Sequence, residues 1–177
     1  MKKKRILVIM HKDLVPPDDV DPKKLDPFTT TYLTEADVIY TLKSLGHEVK
    51  AIGIISDLVP LREAIEVFKP HIVFNLLEEF DGEAVFDQNV VSYLELLRVP
   101  YTGNNPRGLI FARDKALTKK ILTYHRIKTP KFHVFPKNKK TKRPSQLNFP
   151  LIVKCLDEEA SLGISQASVV HNDEKLQ

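Results

Sequence analysis

The chain has 177 residues, 42% of them hydrophobic and 28% charged, with a formal net charge of +4. That length and composition suffice for a real core, in one domain or one and a half. A single cysteine, Cys155, excludes an intrachain disulfide framework and a cysteine metal cluster, and no apolar run approaches the roughly 20 residues of a membrane span.

The positive charge gathers in Lys2-Lys3-Lys4-Arg5 and in residues 137–143 (KNKKTKR). Neither block is interleaved with aromatics, so both read as solvated segments and no nucleic-acid partner is expected. The basic start runs directly into Ile6-Leu7-Val8-Ile9-Met10, which is too short and too β-branched for a signal peptide. A cytoplasmic protein without membrane association is expected.

Residues 4–10 (KRILVIM) form a continuous apolar run, the pattern of a strand covered on both faces. A long Pro-rich segment follows, residues 11–27, where Asp13, Asp18 and Asp19 are either pocket residues or solvated loop. Thr34-Glu35-Ala36-Asp37 opens a helix with Val38, Ile39, Leu42 and Leu45 apolar, ending at Gly46. Residues 48–54 read as a strand, 58–68 as a helix stopped by Pro70, and 71–76 as a third strand. Residues 85–97 read as a helix and 99–102 as a short fourth strand. Strands alternating with helices imply a parallel sheet with right-handed crossovers.

Beyond Asn105 the pattern changes. Asp114 caps a helix over residues 114–125, and residues 132–135, 150–155 and 164–170 are β-like. Residues 172–177 read as the start of another helix. Cys155, beside a strand, is expected as a small core residue.

The first strand is not followed by Gly-x-Gly-x-x-Gly, which argues against a dinucleotide enzyme of that type. A phospho-receiver would need an aspartate at the end of the third strand, where this chain has Asn75. The six histidines show no metal-ligand spacing, and most read as surface or satisfied residues. Two lysines carry more. Lys115 stands in the first turn of a helix, and Lys154 ends the apolar run 149–154 (FPLIVK), read as a buried strand. Ala160-Ser161-Leu162-Gly163 follows, small residues with free backbone amides. A helix N-terminus, two ammonium groups and such a loop together favour a polyanion, and a nucleotide triphosphate is the obvious one.

Residues 94–103 (LELLRVPYTG) resemble the segment closing the N-terminal domain of D-alanine–D-alanine ligases and related ATP-grasp carboxylate–amine ligases. Residues 113–119 (RDKALTK) resemble that family's next helix. Ile127-Lys128-Thr129-Pro130 resembles its Gly-Ile-x-Thr-Pro turn, with Arg126 in place of glycine. Residues 149–154 resemble its Phe-Pro-x-x-Val-Lys strand, and 159–164 its phosphate-covering loop.

The resemblance implies an α/β chain in two parts. Residues 1–105 would be a parallel-sheet, Rossmann-like preATP-grasp domain, and residues 106–177 the first, incomplete α+β part of an ATP-grasp nucleotide domain. It implies ATP as cofactor, with Lys115 and Lys154 on the phosphates and the amides of Ser161, Leu162 and Gly163 closing over them. The implied reaction phosphorylates a carboxylate, and an amine then attacks the acyl phosphate. The partners would be nucleotide and an amino-acid or peptide substrate, with a homodimer possible by analogy. Mg2+ is implied for the whole ligase, but the acids that hold it lie beyond Gln177, so this chain alone is expected to be inactive. The family's His-Gly-x-x-Gly-Glu-Asp-Gly after the third strand is replaced by residues 77–83 (LEEFDGE), leaving the substrate open. Glu78, Glu79 and Asp81 are substrate-site candidates at that edge, with a solvated loop as the alternative. A non-catalytic binding or interaction module derived from such a ligase is the other reading of the chain.

Overall fold

The computed structural model describes residues 2–139, 141–157 and 163–177. It divides into two compact units, residues 1–107 and 108–177. The first holds β1 (Arg5–His11), α1 (Leu33–Ser44), β2 (Glu48–Ile54), α2 (Val59–Phe68), β3 (Ile72–Asn75) and α3 (Asp87–Leu96). The three strands form a parallel sheet in the order β2-β1-β3.

β1 is central because its sequence suits burial on both faces. Leu7 and Ile9 point to one side, where they meet Leu61 and Ala64 of α2 and Val90 and Leu94 of α3. Ile6, Val8 and Met10 point to the other, against Ile39 and Leu42 of α1. A strand's period of two sorts the residues, and helices on both faces keep the run dry.

Several ends are set by specific contacts. α2 stops at Lys69, which is left-handed (φ 49°) and donates its N–H to Ile65 O. Arg5 Nε donates to Phe68 O (3.0 Å) and Lys69 O (2.9 Å), meeting carbonyls that the helix end leaves open. Arg5 therefore departs from the solvated role expected for the basic start. The expected fourth strand is reduced to one bridge, Val73 opposite Tyr101. Val73 N donates to Pro100 O (2.8 Å), and Thr102 N to Val73 O (3.0 Å). Pro100 has no N–H to extend the ladder.

A helix that the sequence reading passes over, α4 (Pro106–Arg113), spans the boundary and opens the second unit. Gly108 weakens its signal, although Pro106 at its first position is a start marker. Asp114 then leaves helical geometry and caps α5 (Lys115–Tyr124), accepting from Ala116 N (2.9 Å) and Leu117 N (2.8 Å). α5 ends in a paired motif: Ile127 N donates to Leu122 O (2.9 Å) and Arg126 N to Thr123 O (3.0 Å). Arg126 takes the left-handed position at φ 60°. That conformation costs a non-glycine residue about 1 kcal/mol. Arg126→Gly is therefore expected to raise the melting temperature by a few degrees, read by calorimetry. An unchanged or lower value would mean that the arginine side chain compensates.

Residues 132–135 are irregular and make no ladder among the described residues. Their alternation is real, since His133 and Phe135 meet edge to face at 4.9 Å, but none of the described strands pairs with them. β4 (Leu151–Ile152) pairs antiparallel with β5 (Val169–Val170), and Val153 N adds a bond to Ser168 O (2.8 Å). This corrects the expectation of a buried strand over 149–154. Ile152, Val153 and Val169 are exposed, and only Val170 is buried. A sheet of two short strands leaves one face open. Cys155 is exposed as well, not a core residue. The basic loop ends in a structural arginine. Arg143 pairs with Asp173 at the head of α6 (Asp173–Leu176), with Nε to Oδ1 at 2.8 Å, and lies 4.7 Å over the Phe149 ring. That hydrogen bond holds the Asp173 carboxyl below the usual range.

Candidate functional site

In the second unit, the Asp114 cap fixes the first turn of α5 and so places Lys115. Its backbone N donates to Leu156 O (3.2 Å), and its Nζ reaches the same oxygen (3.3 Å). Gly163 approaches the same segment. It has φ +69°, and a Cβ built there would lie 2.8 Å from Cys155 Sγ. Residues 154–156 are thus bracketed by the start of α5 and by the Gly163 backbone, which brings Lys115, Lys154 and Gly163 into one neighbourhood. Ser161 and Leu162 lie outside the described residues. Lys154 is exposed, so the argument that a buried lysine needs a partner does not hold for it. Lys119, one turn along α5, is engaged elsewhere, bonding Pro130 O (3.2 Å) over the Phe132 ring.

A second cluster lies at the carboxyl ends of the strands in the first unit. With β1 central, the chain runs to β2 on one side and returns to β3 on the other. The crevice between the ends of β1 and β3 is the topological switch point of the sheet. His11 closes β1. Its Nδ1 accepts from Asp13 N (3.3 Å), which leaves Nε2 as the donor towards Glu79 Oε1 (3.5 Å). His11 is thus more than the satisfied surface histidine expected, unlike His47 and His71, whose Nδ1 atoms accept from Lys4 N and Arg5 N. Asp81, the third candidate at this edge, sits in a turn. Asp81 and Gly82 are both left-handed (φ 57° and 74°), and Phe80 and Glu83 exchange backbone bonds across them. This is a tight hairpin turn, and Asp81 N also anchors to Ile55 O (2.8 Å).

The residue that sequence reasoning misses here is Glu35. It is buried in the first turn of α1, and its Oε2 has no hydrogen-bond partner. Burial first, and then the charge of Glu78, pushes its carboxyl above the ordinary range. A polar group left in this state costs about 1–3 kcal/mol. The signal was present: Glu35, Ile39 and Leu42 fall at helical spacing, a carboxylate in line with the buried stripe.

A cavity of about 590 Å³ lies between the Pro-rich segment, α1 and β2, lined by Asp18, Asp19, Tyr40, Lys43 and Lys50 among others. Asp19 is paired there with Lys43 (3.2 Å). None of the strand-end carboxylates lines it. No group of three or more His, Cys, Asp or Glu side chains suited to a metal ion occurs among the described residues. None of the described helices is long and apolar enough to cross a membrane.

No protein-family model matches the sequence. A solved D-alanine–D-alanine ligase from Bacillus anthracis, complexed with ATP, superposes with a TM-score of 0.66 over 98% of this chain and 52% of its own, at 23% identity. That likeness establishes the fold class, a mixed α/β chain with a parallel three-stranded sheet. Sequence relatives carry it further. The D-alanine–D-alanine ligase of Syntrophotalea carbinolica is 36% identical over 135 residues, 76% of this chain and 41% of that protein. The corresponding enzyme of Moorella thermoacetica is 31% identical over 134 residues, 71% of this chain and 41% of that protein. The chain is a D-alanine–D-alanine ligase-like ATP-grasp relative. Its matches span about two fifths of the length of these ligases.

Proposed function

We propose that this chain is the N-terminal portion of an ATP-dependent carboxylate–amine ligase. Residues 1–105 are its preATP-grasp domain and residues 106–177 the opening part of its nucleotide domain. The observation that carries this reading is the approach of Lys115 and Gly163 to residues 154–156, in a chain related to these ligases. Lys115 and Lys154 meet the phosphates of ATP, and the loop ending at Gly163 covers them. In the whole enzyme, a substrate carboxylate takes the γ-phosphoryl group and releases ADP. An amine then attacks the acyl carbon, releasing phosphate and forming the amide. Such chemistry rests on positioning and charge neutralisation, which lysines and backbone amides supply.

Glu78 and Glu79, at the strand ends, face the amino-acid or peptide substrate; Asp81 shapes the turn beside them. Mg2+ belongs to the whole ligase, and the described residues offer no cluster that fits it, so no step is assigned to the ion here. The chain by itself binds nucleotide without turnover. It works in the cytoplasm, and a homodimer follows by analogy with related ligases. Exposed Ile152, Val153, Leu156 and Val169 favour a second reading, a non-catalytic module whose second unit is covered by a partner.

Calorimetric titration with ATP, beside an ADP-release assay on a panel of D- and L-amino acids, tests the reading. Binding without amino-acid-dependent ADP release is expected. Absence of binding at millimolar ATP would remove the nucleotide assignment, and amino-acid-dependent turnover would overturn the claim of inactivity.

A further inference from the structure

From Lys115 to Leu156 the chain carries twelve Lys or Arg residues and no Asp or Glu. Part of that charge is engaged within the fold: Lys115 with Leu156 O, Lys119 with Pro130 O and Arg143 with Asp173. Around the C-terminal end of α5 the cations are exposed instead. Lys120 lies on the helix, Arg126 and Lys128 follow it, and Lys131 adjoins the Pro130 carbonyl that Lys119 holds. None of these four makes an ion pair or a side-chain hydrogen bond among the described residues.

The helix dipole favours cations at this end, but it does not account for two further features. Tyr124, one turn after Lys120, is 83% exposed, and its ring contact among the described residues is edge to face with His125 at 5.2 Å. A ring face is thus open to solvent in the midst of positive charge. Arg126 keeps a left-handed position that glycine fills at lower cost, and its side chain returns nothing to the fold. Strain retained without a structural partner points to a use at the surface. An acidic peptide has no need of an open ring. A lipid surface calls for a broader apolar face than Tyr124 and Ile127 provide. A single-stranded nucleic acid uses both features, its phosphates meeting the cations and an unstacked base lying on the ring. The expectation of no nucleic-acid partner rests on residues 2–5 and 137–143, which lack aromatics; over residues 120–132 cations and rings are interleaved.

We propose that the surface at the C-terminal end of α5, formed by Lys120, Tyr124, Arg126, Lys128 and Lys131, binds single-stranded nucleic acid. The cations follow the phosphates and a base stacks on Tyr124. This surface goes beyond the ligase reading and is separate from the nucleotide assignment: Lys115 and Tyr124 stand at opposite ends of α5, about 13 Å apart along its axis.

The test measures fluorescence anisotropy of labelled strands of about twelve nucleotides with the full chain, with and without millimolar ATP. RNA and DNA strands of one mixed sequence distinguish the two polymers, and the duplex of that sequence is the comparison. A single strand is expected to bind at least about fivefold more tightly than the duplex, whose bases are already stacked. Four phosphate contacts give a slope of log affinity against log salt of about −3, and the Lys120→Ala, Lys128→Ala double variant should roughly halve it. Tyr124→Ala should weaken binding about tenfold at an unchanged slope, and Tyr124→Phe should restore it. Arg126→Gly should weaken binding without lowering the melting temperature. A duplex bound as tightly as either strand, or a Tyr124→Ala protein that binds like wild type, would overturn the proposal. So would equal or tighter binding of a polyglutamate peptide or of phosphatidylserine–phosphatidylcholine vesicles. Displacement of the strand by ATP would put it in the nucleotide site and overturn the separate surface. Strand binding intact in a chain that fails to bind ATP would support the proposal and count against the nucleotide reading alone.

Discussion

Lys154→Ala is expected to weaken ATP binding about tenfold or more, and the Lys115→Ala, Lys154→Ala double variant by a larger factor still. A charge-assisted hydrogen bond contributes about 1.5–3 kcal/mol, and about 1.4 kcal/mol is a factor of ten in affinity. Lys154 is exposed, so solvent and salt screen it, and the lower end of that range applies. Lys115 is held more firmly, with both its backbone N and its ammonium directed at Leu156 O. Its removal takes one of two donors from that carbonyl, leaving the backbone N–H in place, as well as withdrawing a charge. The measurement is the Kd for ATP at low and at high salt, with Lys119→Ala as the control on the same helix. Lys119 is engaged with Pro130 and Phe132 and should matter little to the nucleotide. If Lys119→Ala weakens binding as much as Lys154→Ala, the effect is general electrostatics and the two-lysine site is wrong.

Gly53→Ala should be the most damaging small substitution in the first unit. A Cβ at Gly53 would lie 2.5 Å from Lys12 Cα and 2.8 Å from Val15 Cγ2. The nearest atom is backbone, so no side-chain rotation relieves the overlap. Overpacking of this kind costs about 1–3 kcal/mol, and about 4–8 °C of melting temperature follows per kcal/mol in a domain of this size. The consequence extends to the crevice, because the turn displaced is the one that follows His11. The His11–Glu79 pair should loosen along with the fold. Gly46→Ala is the matched control, since nothing lies within 4 Å there and only its φ of +84° is strained. Gly53 is not among the positive-φ glycines, so a loss there no larger than at Gly46 would show that the turn at Lys12 gives way at little cost.

Much of the first unit was legible because its signals are strong and local. An apolar run such as 6–10 has one comfortable place, the middle of a covered sheet. Gly46 and Pro70 mark helix ends that the structure places within two residues. Asp114 was legible as a cap because a short carboxylate ahead of an apolar-periodic segment has few other uses. Asp81-Gly82 is a hairpin-turn dipeptide, a signal that the alternatives of substrate site and solvated loop leave unused. The failures share a cause. Residues 132–135 and 149–154 carry β-type patterns whose outcome depends on a neighbouring strand or covering layer, and no local pattern reports that. Glu35 was missed because the helix was read for its apolar positions, and a charged residue in its first turn looks ordinary until its burial is known. The approach of Gly163 to Cys155 is a tertiary contact, and no sequence period encodes it.

The central place of β1 has a bearing on how the chain comes to be folded during synthesis. Its first pairing partner, β2, begins at Glu48, and its second, β3, at Ile72. The most apolar segment of the protein must therefore emerge from the ribosome and wait, one edge open, until more than seventy residues have been made. An unpaired strand of this composition is a template for aggregation. Lys2, Lys3 and Lys4 stand immediately ahead of it, where repelling charges act as gatekeepers against stacking of nascent chains. The basic start thus protects the interval before the sheet closes.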